Sequence, residues 1–171
     1  MRQMLSVPKV KFSPMPQSGF EAWKELSVKR YRDEKVRAGV WERSQAQSLA
    51  EKEYAQVLPG GKSTTGHQFS LIEDSSTGTV IGSIWFQLIK ARSLQVQLWD
   101  ILIEEEYRRK GYGVSAMMML ESESLRLGAV KISLGVFALN EAAVKLYERI
   151  GFTLGAMLID RSAILMSKEI L

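Results

Sequence analysis

The residues best suited to chemistry lie in one stretch, Asp100-Ile-Leu-Ile-Glu-Glu-Glu-Tyr-Arg-Arg-Lys-Gly-Tyr-Gly113, which passes from an apolar strand through a charged loop into a helix. Arg108, Arg109 and Lys110 stand immediately before the helix N-terminus. The macrodipole is positive there, so each cation is unfavourable by roughly 0.3–1 kcal/mol unless something anionic is bound. Gly111 and Gly113 lack side chains, so consecutive backbone N–H groups can approach a ligand, and no Ser, Thr or Asp is placed to cap those donors. The implied site is a cradle for a phosphate or pyrophosphate. A plainer alternative has Glu104, Glu105 and Glu106 neutralise the three cations in a solvated loop whose glycines serve only the turn.

Two other phosphate patterns compete. Gly111-x-Gly113-x-x-Ala116 matches a dinucleotide fingerprint, which would make the chain a nicotinamide-dependent oxidoreductase. That motif expects an acidic residue ~20 positions later, and Lys131 to Val136 contains none. Gly61-Lys62-Ser63-Thr64 imitates the end of a phosphate-binding loop, but its first glycine would fall at Gln56, after a helix instead of a strand. A second constellation runs from Asn140 to Phe152. Asn140 and Tyr147 lie two turns apart on one helix face, with Ala143 small enough between them to admit a ligand. Asn140 equally suits an N-cap, and Tyr147 equally suits a core aromatic, so neither decides the matter alone.

These segments need a scaffold, and 171 residues with 46% hydrophobic and 25% charged content fit a single globular domain over 1–171. No Cys is present, which excludes a disulfide framework, a thiolate metal site and a Cys nucleophile; the single His67 excludes multi-His metal sites. A net charge of +4 is too mild for a dedicated nucleic-acid binder. The first twelve residues lack the apolar core of a signal peptide, and no run is long enough to span a membrane, so the expected location is cytoplasmic.

The periodicity predicts a strand at Val10–Ser13, helices over Phe20–Ala38 and Ala46–Leu58, and three strands at Phe69–Glu73, Val80–Ile89 and Leu94–Ile103. A helix over Gly113–Leu127, a strand at Lys131–Phe137, a helix over Asn140–Ile150 and strands near Thr153–Ile159 and Ala163–Glu169 complete the chain. The order β-αα-βββ-α-β-α-ββ implies an α+β fold with helices packed on the faces of a sheet.

Together the two segments resemble the GNAT superfamily of acetyl-CoA-dependent N-acetyltransferases, whose signature Arg/Gln-x-x-Gly-x-Gly/Ala is met by Arg108, Gly111 and Gly113. Asp100 to Ile103 looks like the family's central strand, and Ile132 to Phe152 like its following strand, asparagine-started helix and Tyr-x-x-x-Gly-Phe ending. The resemblance implies a mixed, mostly antiparallel central sheet flanked by about four helices. It implies that acetyl-CoA is the co-substrate, paired along Ile101, Leu102 and Ile103, held at its pyrophosphate by amides of Arg109 to Val114, and contacted by Asn140. Tyr147 would be the general acid toward the departing thiolate, while an amide near Ile103 would stabilise the oxyanion.

The acceptor would be a small-molecule or peptide amine, with Asp100 as the first candidate for its base and Glu104 and Glu73 as weaker ones. Trp23, Tyr31, Trp41 and Trp85 are candidates for the acceptor pocket or for the core. Neither a membrane nor a nucleic acid is expected as partner, and no metal. Homodimers are common in the superfamily, and the apolar run Phe152–Ile159 suits an interface or a buried strand alike. A catalytically silent acyl-CoA-binding regulatory domain is the alternative to an enzyme.

Overall fold

A computed structural model describes residues 7–171. The elements are β1 (Val10–Pro14), α1 (Gln17–Arg37), α2 (Arg43–Val57), β2 (His67–Asp74), β3 (Val80–Lys90), β4 (Leu94–Ile103), α3 (Tyr112–Arg126), β5 (Lys131–Phe137), α4 (Glu141–Arg149), β6 (Thr153–Met157) and β7 (Ala163–Glu169). Single 3-10 turns occupy Gly61–Ser63 and Glu105–Tyr107. The chain is α+β, in the expected order, with mostly antiparallel strands and four α-helices. Among the described residues no helix is long and apolar enough to cross a membrane. The elements fall into two compact units.

The first unit holds the segment up to Pro14, Gln68–Ile132 and Lys168–Leu171. Its strands lie in the order β1-β2-β3-β4. Ile81 to Phe86 of β3 are buried without alternation, as an inner strand covered on both faces requires. α3 buries Ala116, Leu120 and Ser124, spaced by four on one face. The β3–β4 register slips between Trp85 and Phe86: Trp85 opposes Asp100 while Phe86 opposes Leu98, so Trp99 is an extra residue in β4. Such a bulge bends its strand and re-aims the side chains beside it. Trp99 lies flat on Trp85, ring centroids 5.3 Å apart, and Trp85 lies on Phe69 at 5.6 Å. The indole N–H of Trp99 donates to Gln87 Oε1 at 3.1 Å.

The second unit holds Met15–His67 and Ser133–Ser167, with strand order β5-β7-β6. Helix α1 begins after Pro16, three residues earlier than the apolar stripe suggests, and ends at Gly39, whose φ of 73° no β-branched residue would tolerate. Phe20, Trp23, Ser27 and Val28 are buried along it. α2 offers Ala46, Ala50 and Tyr54 on one face, and Tyr54 shares a buried hydrogen bond of 2.8 Å with Ser27. Strand β6 stops at Met157, short of Ile159, and it is the outer strand of its group with every residue exposed.

Lys35 continues the α1 stripe four residues beyond Tyr31 and is buried at 5% exposure. Its ammonium sits 2.6 Å from Asp160 Oδ2 and 3.2 Å from Ser162 Oγ, with the rings of Tyr31 and Trp41 at 5.5 and 5.4 Å. A buried cation needs this compensation, and the pair ties the β6–β7 connection to α1. Lys35, and after it the Ser162 hydroxyl, hold the Asp160 carboxyl down at about 2.

Two outcomes test this description. Gly82→Ala would place a Cβ 2.0 Å from the Leu102 carbonyl oxygen, across the close β3–β4 pair, and backbone must move. The expected loss is about 3 kcal/mol, read by urea unfolding. Asp160→Asn should cost about 2 kcal/mol, less than the ~3–5 of a fully buried pair because the carboxylate is 33% exposed. A depressed carboxyl stabilises fully above its unfolded pKa near ~4 and loses that contribution as pH falls toward ~2. The gap between wild type and variant should therefore close over that interval in thermal melts.

Candidate functional site

The loop between β4 and α3 lies wholly in the first unit. Its backbone is turned twice into the left-handed region, at Arg109 (φ 63°) and at Gly111 (φ 89°). For an arginine that conformation costs roughly 1–2 kcal/mol, so the surroundings must over-determine it. Tyr107 and Arg108 donate their amides to Glu104 and Glu105, and Ser115 N–H returns to Gly111. Between them, the amides of Arg109 through Val114 donate to no backbone or capping acceptor among the described residues. Six consecutive donors at a helix entrance form a concentrated anion site, since partial positive charge and dipole act in the same direction.

Two of the three cations, Arg108 and Lys110, are held by backbone carbonyls. Arg108 Nε donates to the Ile103 carbonyl at 2.8 Å, closing the loop onto the end of β4. Lys110 Nζ donates to the Glu106 carbonyl at 2.8 Å and lies 5.8 Å from the Tyr107 ring centre. Among the described residues Glu104, Glu105 and Glu106 form no ion pair with Arg108, Arg109 or Lys110, so three positive charges stay uncompensated beside the amides. On β4, Glu104 N–H donates to Ile81 O at 2.9 Å. Antiparallel alternation then points the amides of Ile101 and Ile103 away from β3, and that of Leu102 toward it. Asp100, half-buried, faces Trp85 across the pair beside the Trp99 bulge.

In the second unit, Asn140 is the N-cap of α4: its Oδ1 accepts the Ala143 amide at 3.2 Å. This leaves the carboxamide NH2 as the part of Asn140 able to serve a ligand. Tyr147 is buried at 8% exposure, its ring 5.8 Å from that of Phe152. α4 ends at Gly151, with φ of 100°, and Phe152 N–H returns to the Tyr147 carbonyl at 3.0 Å. Trp23 of this unit and Trp85 of the first are buried at 8% and 3%, and core packing accounts for both. Tyr31 is half-buried; its hydroxyl donates to Glu53 at 2.5 Å, and burial followed by that bond raises its pKa well above the usual phenol range. The Trp41 ring stands edge-on to that of Tyr31 at 5.6 Å.

Asp74 escaped the sequence reading. It accepts the Tyr112 hydroxyl at 2.5 Å on Oδ2, and on Oδ1 the Ser76 amide at 2.8 Å, the Ser76 hydroxyl at 2.5 Å and the Thr77 amide at 3.2 Å. The Ser76 hydroxyl, then that of Tyr112, hold the Asp74 carboxyl well below the ordinary carboxylate range. The same bond raises Tyr112. Nothing in the local sequence pairs residues 38 positions apart.

Comparison with known proteins bears on the family and the fold. The sequence model of the acetyltransferase (GNAT) family matches residues 20–152. YycN of Bacillus subtilis, named an uncharacterized N-acetyltransferase, is 30% identical over 162 residues, covering 94% of this chain and 99% of YycN. YdgE of the same organism, also named an uncharacterized N-acetyltransferase, is 29% identical over 144 residues, 82% of this chain and 89% of YdgE. The crystal structure of YycN superposes with a TM-score of 0.84 over 88% of this chain and 96% of that one. The PaiA N-acetyltransferase of Thermoplasma acidophilum, crystallised with coenzyme A, shares the fold at TM-score 0.66 and 18% identity, over 94% and 99% of the two chains.

Gly111→Ala tests the loop. Alanine is strained at φ 89°, and its Cβ would lie 3.2 Å from both Pro8 Cδ and Val7 Cγ1. Coenzyme A binding, measured by isothermal titration calorimetry, should weaken about tenfold, the factor that ~1.4 kcal/mol of lost loop geometry corresponds to.

Proposed function

This chain belongs to the acetyltransferase (GNAT) family, and from that premise we propose that it moves an acetyl group from acetyl-CoA to a primary amine by direct attack. The observation that carries the reading is the run of six amides, Arg109 to Val114, which among the described residues have no backbone partners and stand beside cations without ion pairs. A pyrophosphate satisfies both at once. The outward amides of Ile101 and Ile103 suit pairing with the pantetheine arm, and the Asn140 carboxamide suits a further contact to the cofactor. One domain over 1–171 belongs to this reading, since the family match runs through segments of both units.

In the reaction the amine lone pair attacks the thioester carbonyl carbon, forming the C–N bond and moving the carbonyl electrons onto oxygen. The Ile103 amide is our candidate donor to that oxyanion. Collapse restores the carbonyl and breaks the C–S bond, the departing thiolate takes a proton from the Tyr147 hydroxyl, and the second proton of the attacking nitrogen passes through water to the tyrosinate, which restores the phenol. A phenol of pKa ~10 is protonated at neutral pH, and a thiol of pKa ~8.5 leaves more readily when protonated.

The acceptor must first lose a proton, because an ammonium of pKa ~10.4 is only ~0.1% neutral near pH 7.4. Asp100, through a water, takes that role in this scheme. The acceptor is an amine of a small molecule or peptide, and Tyr31 and Trp41 are the pocket candidates that core packing leaves half-buried. A homodimer through β6 fits the same reading, since this outer strand exposes Leu154 and Met157.

Tyr147→Phe is the decisive variant. The maximal rate should fall at least tenfold on an acetyl-accepting amine, with the dissociation constant for acetyl-CoA nearly unchanged. An unchanged rate would remove Tyr147 from the mechanism.

A further inference from the structure

Two fasteners meet on the first turn of α3, and both come from outside the loop that precedes it. The Ser115 hydroxyl donates to the Pro8 carbonyl, from the segment that leads into β1. The Tyr112 hydroxyl donates to Asp74, at the end of β2. The two anchors are themselves joined, because Ser75 N–H donates to the Lys9 carbonyl at 2.9 Å. The result is a closed circuit through Pro8, Lys9, Ser75, Asp74, Tyr112 and Ser115. Gly111 lies inside it, with Val7 and Pro8 so near that there is no room to spare for a side chain.

Within that circuit lies a backbone that would not hold its shape by itself. Arg109 is left-handed without being glycine, and six successive amides have no backbone or capping acceptor among the described residues. A free loop of this kind would relax and satisfy its own donors, and each ligand would then have to restore the open geometry at a cost in affinity.

We propose that Asp74 and Ser115 are positioning residues that hold the Arg109–Val114 amides in their anion-binding geometry, acting through the first turn of α3. The proposal rests on the reading of that loop as the acyl-CoA pyrophosphate cradle. Asp74 is suited to the task because its other oxygen is occupied by Ser76 and Thr77, which fixes the carboxylate before Tyr112 reaches it. Pro8 is suited because its ring restricts the backbone that presents the carbonyl.

The test is calorimetric titration of the full chain with coenzyme A, well below the unfolding temperature, for wild type, Ser115→Ala, Asp74→Asn and Tyr112→Phe. Tyr112→Phe removes the donor of the Tyr112–Asp74 bond outright while leaving the Asp74 turn intact, so it decides the case if Asp74→Asn fails to fold. Each variant should weaken coenzyme A about fivefold, as the loss of one ordinary hydrogen bond does, and Ser115→Thr should restore affinity. Ser13→Ala is the control. It removes a hydrogen bond to Glu73 in the same β1–β2 pair, outside the circuit through Tyr112 and Ser115, and should lower the melting temperature without changing the dissociation constant. If wild type binds coenzyme A and the variants bind it equally well, or if Ser13→Ala weakens binding as much as they do, the positioning role is overturned while the cradle stands. If wild type itself does not bind coenzyme A, the cradle reading fails and the proposal with it.

Discussion

The backbone donors of Arg109 to Val114 set the terms for the rest of this chain. Burying or leaving such groups without acceptors is costly, and globular proteins pair nearly all of them. Here the loop is bent through two left-handed residues, and among the described residues no backbone acceptor closes these donors into a turn. Arg108 and Lys110 use backbone carbonyls as tethers, which keeps their charge in the neighbourhood without an ion pair among the described residues. Anion recognition is thus a property of main-chain geometry first and of side-chain charge second. That ordering explains why Gly111 has no substitute: the position needs a positive φ and has neighbours at contact distance.

Each unit has its own means of holding irregular chain in place. In the first, carboxylate and hydroxyl groups secure the start of α3. In the second, a buried ammonium is compensated by a carboxylate and two aromatic rings, and so joins α1 to the β6–β7 connection. In both, the polar group sits where regular hydrogen bonding stops and an element must begin at a defined angle. Burial of apolar surface provides bulk stability, but it is not directional and cannot set such angles by itself.

Much of this was legible from spacing. The charged loop, its glycines and the helix that follows are local in sequence, and Asn140 at the entry of α4 is a cap by residue type alone. Element order followed from the change between periods of two and of 3.6. What stayed hidden was non-local: Asp74 with Tyr112, Ser115 with Pro8, and Lys35 with Asp160 are 38, 107 and 125 residues apart. The extra residue at Trp99 was also invisible, because a strand that reads as continuous gives no sign of where its partner slips. Trp23 and Trp85, candidates for a pocket wall by type, are enclosed by packing that only the fold specifies.

The bulge in β4 has an optical side. It lays the indoles of Trp85 and Trp99 nearly parallel, 15° apart in plane, at a separation where their excited states interact. Two such chromophores couple, and where their transition moments are skewed the coupling gives a paired circular dichroism band of opposite signs. The chain therefore has an intrinsic spectroscopic marker beside Asp100, sensitive to the spacing and tilt of the two rings, which needs no label and vanishes with either indole.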